Sequence, residues 1–547
     1  MPERPPPLPW HPPTGSASPS PNFGRYPVTG AERPMSGPPR GSAQVPVGPS
    51  GPGGVPPLGP PISALPASAG PAPAPATPPR RKRLPVVLAA VLLLVLVSVG
   101  VVITRPGPVA GWLGDDAGSA SNAGGVTPDP APSDVLAGPD QNAPLPTPDG
   151  VRAALDPLVG AAALGDRVNV SVADVITGQT LFDKGADDGT VPASVTKLVT
   201  AVTVLAARGP GYRIPTRVVA GAKAGEVVII GGGDPTLAIN KKGYYTGAAR
   251  LDELAAQVRT ALGGTKPTSV IVDGSVYSGP VYGPGWDDDI PTGGSGGAIT
   301  ALMTDGARTD PGVEHGSAQR FAEPDLAAGK AFARLLGVPT DAVKRGTAPA
   351  GASPAPGTEL GVVQSPPLIR LVDVMISESD NMVAEALARQ VALARNEPAS
   401  FDGGAAAMDA EVAELGLPAD EITVSDGSGL SRRNRISPSL LTDLIRLAAS
   451  PDHPELAGVF GGLPVGGWSG TLNERYRTAA GTAAGAGSVR AKTGTLSSVH
   501  AIAGLVTTAD GRLLTFAVLT DRAPGEKDTA QPALDRISSA LARCGCR

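Results

Sequence analysis

The chain has 547 residues, of which Gly 72 and Pro 61 supply about a quarter, while aromatics are only 3% and charged residues only 17%. A composition of that kind does not fold as one compact domain throughout. A formal charge of -5, from 45 basic and 50 acidic residues, excludes a strongly basic nucleic-acid binder; four His and two Cys exclude a Cys/His zinc site and a disulfide scaffold.

Residues 1–83 hold 26 of the 61 prolines and no periodic aliphatics, so they are expected to be disordered, with polyproline II character in "PAPAPATPP" at 71–79. Arg80, Arg81, Lys82 and Arg83 then abut residues 84–103, "LPVVLAAVLLLVLVSVGVVI", which carry no charge. A helix of that length spans roughly 30 Å, the thickness of bilayer hydrocarbon. Residues 1–83 contain eight Lys/Arg against two Glu, and residues 104–149 one Arg against six Asp. This asymmetry predicts a retained single-pass anchor in the lipid bilayer with a cytoplasmic N-terminus and an extracellular remainder. A cleaved signal peptide is the competing reading, but its usual n-region is far shorter than 83 residues. Residues 104–149 read as an acidic linker.

From about Val151 to Leu541 the pattern is that of a folded region. Val168, Val170 and Val172 alternate before a Thr177-Gly178 turn and Leu181-Phe182, a hairpin pattern. Val195, Leu198, Val199, Val202 and Leu205 recur at helical spacing up to Gly209-Pro210. Aliphatic runs at Glu226 to Ile230 and Ser269 to Val272 flank an amphipathic helix, "ARLDELAAQVRTAL", and predict a small α/β insert over 216–350 lying outside the catalytic core. Helices are predicted at 367–377, 382–395 and 405–415, then two strands around Asp510-Gly511, then a helix at about 530–542. Cys544 and Cys546, two apart, would be strained as one disulfide; free thiols and pairing with another chain remain open.

Ser194 and Lys197 stand at i, i+3 at the start of a helix, which puts an amine within reach of a hydroxyl. A serine is a poor nucleophile at neutral pH without a neighbouring base, and a buried lysine of depressed pKa supplies one. Taken alone the pair is a weak signal, a helix cap beside a surface lysine. Two further motifs change that: Ser379-Asp380-Asn381 at the head of a helix, and Lys492-Thr493-Gly494 leading into the terminal strands. The three together, in this order, form the signature set of penicillin-binding proteins and class A β-lactamases. Chemistry divides the labour. Ser194 attacks a carbonyl, Lys197 is general base, Ser379 relays a proton, and Asn381 positions Lys197 and a substrate amide. Lys492 and Thr493 dock a substrate carboxylate, and Gly494 lets the strand edge approach the ligand. The oxyanion would lie between the Ser194 amide and an amide of the Lys-Thr-Gly strand.

Four more segments extend the match: "GGGDPTL" from Gly231, "VDGSVYSGPVYGPGW" from Val272, "ALMTDGARTDP" from Ala301 and "VSDGSGLSRRNRISP" from Val424. On these residues the chain resembles the D-alanyl-D-alanine carboxypeptidase/endopeptidase family, the type-4 or DacB-like low-molecular-mass penicillin-binding proteins of peptidase family S13. The resemblance implies acylation of Ser194 by D-Ala-D-Ala termini of peptidoglycan stem peptides or by β-lactams, no cofactor, and Asp426, Gly427 and Ser428 at the cleft edge. It also implies an α+β, multi-domain, transpeptidase-like fold of the serine β-lactamase class with an inserted α/β subdomain. The expected division is tail 1–83, transmembrane helix 84–103, linker 104–149, catalytic parts 150–215 and 351–541, insert 216–350 and tail 542–547. Two other functions compete: a wall-binding scaffold that has lost turnover, and a β-lactamase, for which no convincing Glu-x-x-x-Asn-like segment lies between the first two motifs.

Overall fold

The computed structural model describes residues 142–313, 317–349, 359–525 and 527–547. In chain order, α1 (Pro148–Val159) leads to β1 (Val168–Asp174), β2 (Thr180–Lys184) and α2 (Thr196–Arg208). Then come β3 (Pro215–Ala220), β4 (Glu226–Ile230), α3 (Leu251–Ala261), β5 (Ser269–Asp273), α4 (Pro324–Leu336), β6 (Val343–Arg345) and β7 (Glu359–Gln364). A helical stretch follows, α5 (Leu368–Ser377), α6 (Asn381–Ala394), α7 (Phe401–Glu414) and α8 (Pro438–Ala448), before β8 (Val489–Leu496), β9 (Val499–Thr507), β10 (Leu513–Thr520) and α9 (Lys527–Ala542).

The first sheet has the order β8-β9-β10-β1-β2 and is antiparallel throughout. Pairing of β1 with β10, Val168 opposite Thr520, brings the two ends of the folded region together. The alternation in β9 and β10 explains why the sheet is covered on both faces. Ala501, Ala503, Leu505, Ala517 and Leu519 join the core formed with α2, α5, α6, α7 and α8, while Ile502, Val506, Leu514, Phe516 and Val518 join the one formed with α1 and α9. Helix α2 is buried on every side from Thr196 to Leu205, as a central helix must be, and Gly209 ends it at φ 76.

The second sheet, β6-β5-β4-β3-β7, is mixed: β4, β5 and β6 run parallel, and β3 pairs antiparallel with β4 and β7. Helices α3 and α4 cover one face of it through Leu254, Val258, Ala328 and Phe332. The strands extend beyond residue 350, because β7 closes one edge. The segment after β5 leaves this sheet: Trp286, Ile299, Met303 and Ala307 pack with Met382 and Phe401 of the helical region. This part of 216–350 therefore contacts the helical region.

The expected membrane topology is corrected. Among the described residues no helix is long and apolar enough to cross a membrane. The longest, α9, has 16 residues, roughly 24 Å, short of the hydrocarbon core. The span expected at 84–103 and the tail 1–83 lie outside the described residues, so the transmembrane helix, the bilayer as a partner and the single-pass, outward-facing localisation are not retained. The linker expected at 104–149 is described only from residue 142, and α1 already begins at Pro148. Cys544 and Cys546 are joined as a disulfide with Cα atoms 4.8 Å apart, a separation that such a bond spans.

A buried ion pair ties the two hairpins of the first sheet. Arg512 Nε and Nη2 donate to the Asp174 carboxylate at 2.6 and 2.7 Å, and the Thr177 amide and hydroxyl donate to the same group at 2.6 and 2.7 Å. Burial would raise the Asp174 pKa, but these bonds outweigh it and hold the carboxyl below its ordinary value. Replacing Asp174 by Ala should cost about 3–5 kcal/mol in denaturant unfolding, because the Arg512 charge stays buried. The stabilisation is present above the unfolded carboxyl pKa and lost as pH falls through the depressed folded one, so the two proteins should converge in acid. A loss below about 1 kcal/mol at neutral pH would show the pair to be incidental.

Candidate active site

Ser194 sits in a single 3-10 turn, Ala193–Val195, that precedes α2. Ala193 has φ 47, a conformation uncommon outside glycine, and its carbonyl is fixed by Thr196 Oγ1 at 2.9 Å. The turn is held between two glycines. A Cβ on Gly429, itself at φ 84, would overlap the Ala193 carbonyl oxygen, and one on Gly494 would lie 2.5 Å from Pro192 O and 3.1 Å from Ser194 N. The close neighbour that Gly494 accommodates is thus the backbone of the turn that carries Ser194, a constraint that the spacing of the motif does not reveal.

The second residue of α2, Lys197, is fully buried. Its Nζ lies 3.0 Å from Ser194 Oγ, 2.6 Å from Asn381 Oδ1 and 2.6 Å from the Ser428 carbonyl oxygen. Burial lowers its pKa and Asp426, Glu385 and Asp380 raise it again, leaving it at about 8. The amine is therefore poised near neutrality. Asn381 is oriented from its other end, Nδ2 donating to the Ser295 carbonyl at 2.8 Å.

The second lysine, Lys492, is equally buried and donates to Ser379 Oγ at 2.9 Å and to the Thr493 carbonyl at 2.7 Å. Burial, then the neighbouring Lys197 charge, push its pKa well below the ordinary lysine value. Ser379 reaches it from a backbone at φ 59, immediately before Asp380, whose carboxylate caps α6 through the Val383 amide at 3.0 Å and accepts from Tyr245 at 2.8 Å. Thr493 is half-buried, its hydroxyl 3.0 Å from that of Thr471.

The structure thus brings Ser194, Lys197, Ser379, Asn381, Lys492, Thr493 and Gly494 to one locus, and places Asp426, Gly427 and Ser428 beneath it. Asp426 is buried, and its carboxylate accepts from the Gly429 and Ser431 amides, Asn434 Nδ2 and Trp286 Nε1 at 2.7–2.9 Å. It organises the loop from within. Gly427 packs on Ala384 and Ala388 of α6, and Ser428 contributes through its carbonyl. Sequence reasoning missed Ser295, which acts through a backbone atom any residue would supply, and Glu385, which accepts from the Ser428 amide at 2.8 Å. For Glu385 a signal exists: it stands four residues after Asn381, on the same helical face. Beside Ser379 and Asn381 a cavity of about 190 Å³ is lined by Tyr244, Ser295, Arg308 and Arg320.

Comparison with known proteins agrees with this geometry. The model of the D-Ala-D-Ala carboxypeptidase 3 (S13) family matches residues 151–325 and 311–541. A carboxypeptidase of Mycobacterium tuberculosis is 38% identical over 427 residues, 77% of this chain and 90% of the relative. Carboxypeptidase DacB of Mycolicibacterium smegmatis is 38% identical over 438 residues, 78% of this chain and 92% of the relative. Penicillin-binding protein 4 from Haemophilus influenzae shares the fold at a TM-score of 0.57 and 22% identity, over 72% of this chain and 98% of that one.

The packing of β8 on the Ser194 turn is testable through Gly494→Ala. The added methyl must push the turn or the strand, so acylation of Ser194 by a fluorescent penicillin should slow by roughly 10²-fold, as misplacement by an ångström does. Stability should fall by only about 1–3 kcal/mol. Labelling at the native rate in a folded variant would contradict the packing.

Proposed function

The chain belongs to the D-Ala-D-Ala carboxypeptidase 3 (S13) family and is a serine-type D-Ala-D-Ala carboxypeptidase acting on peptidoglycan, and we propose that its reaction runs through Ser194 with Lys197 as base. One observation carries this assignment. Of the three oxygens around Lys197 Nζ, those of Asn381 and Ser428 belong to carbonyl groups, which only accept hydrogen bonds. A neutral amine has two N–H bonds and one lone pair. With both N–H bonds directed at the carbonyls, the lone pair faces the Ser194 hydroxyl.

In the first step Ser194 Oγ bonds to the carbonyl carbon of the D-Ala-D-Ala peptide and its proton passes to Lys197. The developing oxyanion is held by the Ser194 amide and an amide of β8, both in fixed backbone. When the C–N bond breaks, the departing nitrogen takes the proton that Lys197 received, relayed through the hydroxyl of Ser379, whose Oγ accepts from Lys492, and Lys197 is left neutral again. Water then attacks the ester carbonyl, giving up a proton to Lys197, which returns it to Ser194 Oγ as the ester C–O bond breaks, so that the serine and the neutral amine are both restored. A β-lactam follows the same first step and acylates Ser194. Lys492 and Thr493 receive the carboxylate of the terminal D-Ala. Because burial and Lys197 disfavour the Lys492 charge, the arriving anion restores it and the pair forms in a desolvated place.

Residues 150–215 and 351–541 carry the reacting groups in this assignment, and 216–350 form the insert, completed by β7. Part of the insert supports the site directly: Ser295 holds Asn381, and Trp286 holds Asp426.

Ser194→Ala should abolish both the penicillin adduct and peptide hydrolysis, and Lys197→Ala should slow acylation by at least ~10²-fold. Mass spectrometry with peptide mapping settles the first, since an adduct on another residue sinks the mechanism. The neutral amine is the active form, so kcat/KM should rise with pH through about 8; a profile flat from pH 6 to 9 would remove Lys197 as base. Lys492→Ala should instead reduce kcat/KM by roughly 2–5 kcal/mol, by loss of the carboxylate partner.

A further inference from the structure

Asn381, Glu385 and Arg389 follow one another at i, i+4 and i+8 along α6, so their side chains stack on one face. The first touches Lys197. The second lies deeper and is fully buried, so no part of a bound peptide reaches it. Glu385 Oε1 accepts from the Ser428 amide at 2.8 Å and Oε2 from the Gly427 amide at 3.3 Å. Arg389, also buried, approaches Oε2 at 3.5 Å with its guanidinium 4.1 Å from the Phe401 ring centroid. The peptide that Glu385 grips is the one whose far end matters: the Ser428 carbonyl receives Lys197 Nζ at 2.6 Å.

Keeping an ion pair in this interior is costly, since burying a charge costs several kcal/mol and apolar residues of similar volume pack as well or better. Burial and then Asp426 push the Glu385 carboxyl up, to about 7. Every contact to its oxygens comes from a donor, which is the pattern of a carboxylate. The loop is already anchored by Asp426, so a second anchor is not needed merely to close it.

We propose that Glu385 is a positioning residue for the catalytic base, holding the Gly427–Ser428 backbone so that the Ser428 carbonyl occupies one N–H of Lys197 and leaves the lone pair on Ser194. This rests on the assignment of Lys197 as base. Glu385 also acts through charge. Lys197 is faced by Asp426 from the loop, Glu385 from α6 and Asp380 at its cap, all favouring the ammonium, while Lys492 from β8 is itself held well below the ordinary lysine pKa by burial and by the Lys197 charge. Glu385 itself is faced by Arg389 and Asp426.

The test compares Glu385→Gln and Glu385→Asp in the full chain, by the second-order rate of Ser194 acylation with a fluorescent penicillin from pH 6 to 10, alongside thermal unfolding. The glutamine variant loses the anion and presents an N–H where the Gly427 amide needs an acceptor. Its plateau rate should fall by roughly 10²-fold, and its acidic limb should move to lower pH, because a charge that favours the ammonium is gone. The aspartate variant keeps the charge one methylene short, so its limb should stay in place while its plateau falls less. Two outcomes overturn the proposal: a limb unmoved in Glu385→Gln, with a rate loss no greater than the loss of folded protein, or native acylation by Glu385→Asp at every pH. Should the glutamine variant not fold, the aspartate arm still decides. A native protein with no limb near pH 8, or a Lys197→Ala variant that acylates normally, would instead remove the base assignment on which the proposal rests.

Discussion

An amine buried without exposure in the middle of the molecule is the constraint on which the rest of this structure depends. Lys197 occupies a helix whose other residues from Thr196 to Leu205 are apolar or small and buried, so its polar atom has no water to fall back on. Three polar partners are required, and the chain supplies them from positions 194, 381 and 428. Those segments are far apart in sequence and belong to three different elements. Only a fold that closes β1 against β10 and wraps the helical region around α2 can bring them to one atom.

The surrounding charges follow from that requirement. Three carboxylates lie close enough to favour the ammonium, yet each is engaged in backbone work: Asp380 caps α6, Asp426 organises the loop after it, and Glu385 grips that loop from below. Their field is therefore fixed by the same hydrogen bonds that define the elements. Against it stands desolvation, and the balance leaves Lys197 titrating at about 8. Removing any one carboxylate changes local structure and proton affinity together, which is why rate and pH dependence must be measured on the same variant.

Much of this was legible in the sequence where local pattern decides. The strand pattern at Val168 to Val172, the helix stopped at Gly209, and the turn at Asp510-Gly511 are local features, and the three motifs name their residue types outright. What was illegible is non-local. The union of β3 with β7 across the insert depends on pairing at long range. The departure of the segment around Ile299 from its own sheet is set by a small apolar cluster with Met382 and Phe401, not by periodicity. Ser295 works through a carbonyl and leaves no trace in residue type. Asp426, which the family resemblance places at a cleft edge, is buried because its carboxylate matches the donors its own loop turns inward.

That convergence also explains why the insert is not a detachable module. Trp286 donates to Asp426 at 2.8 Å, Tyr245 to Asp380 at 2.8 Å, and Ser295 fixes the Asn381 amide. Asp287 forms a two-toothed pair with Arg432 at 2.8 Å, and Arg432 in turn reaches the Ser497 carbonyl at 3.1 Å, in the turn after β8. The head of α6 and the Asp426 loop, which meet Lys197 from outside α2, are thus braced by residues of the insert, and the turn after β8 is reached through Arg432. A segment recruited to meet a large substrate would be free to hang on flexible joins; one that holds the N-cap of α6 and the Asp426 loop is bound to the geometry around Lys197. Changes in the insert should consequently be transmitted to the acylation step itself, through the first turn of α6 and through the loop that ends in the Ser428 carbonyl.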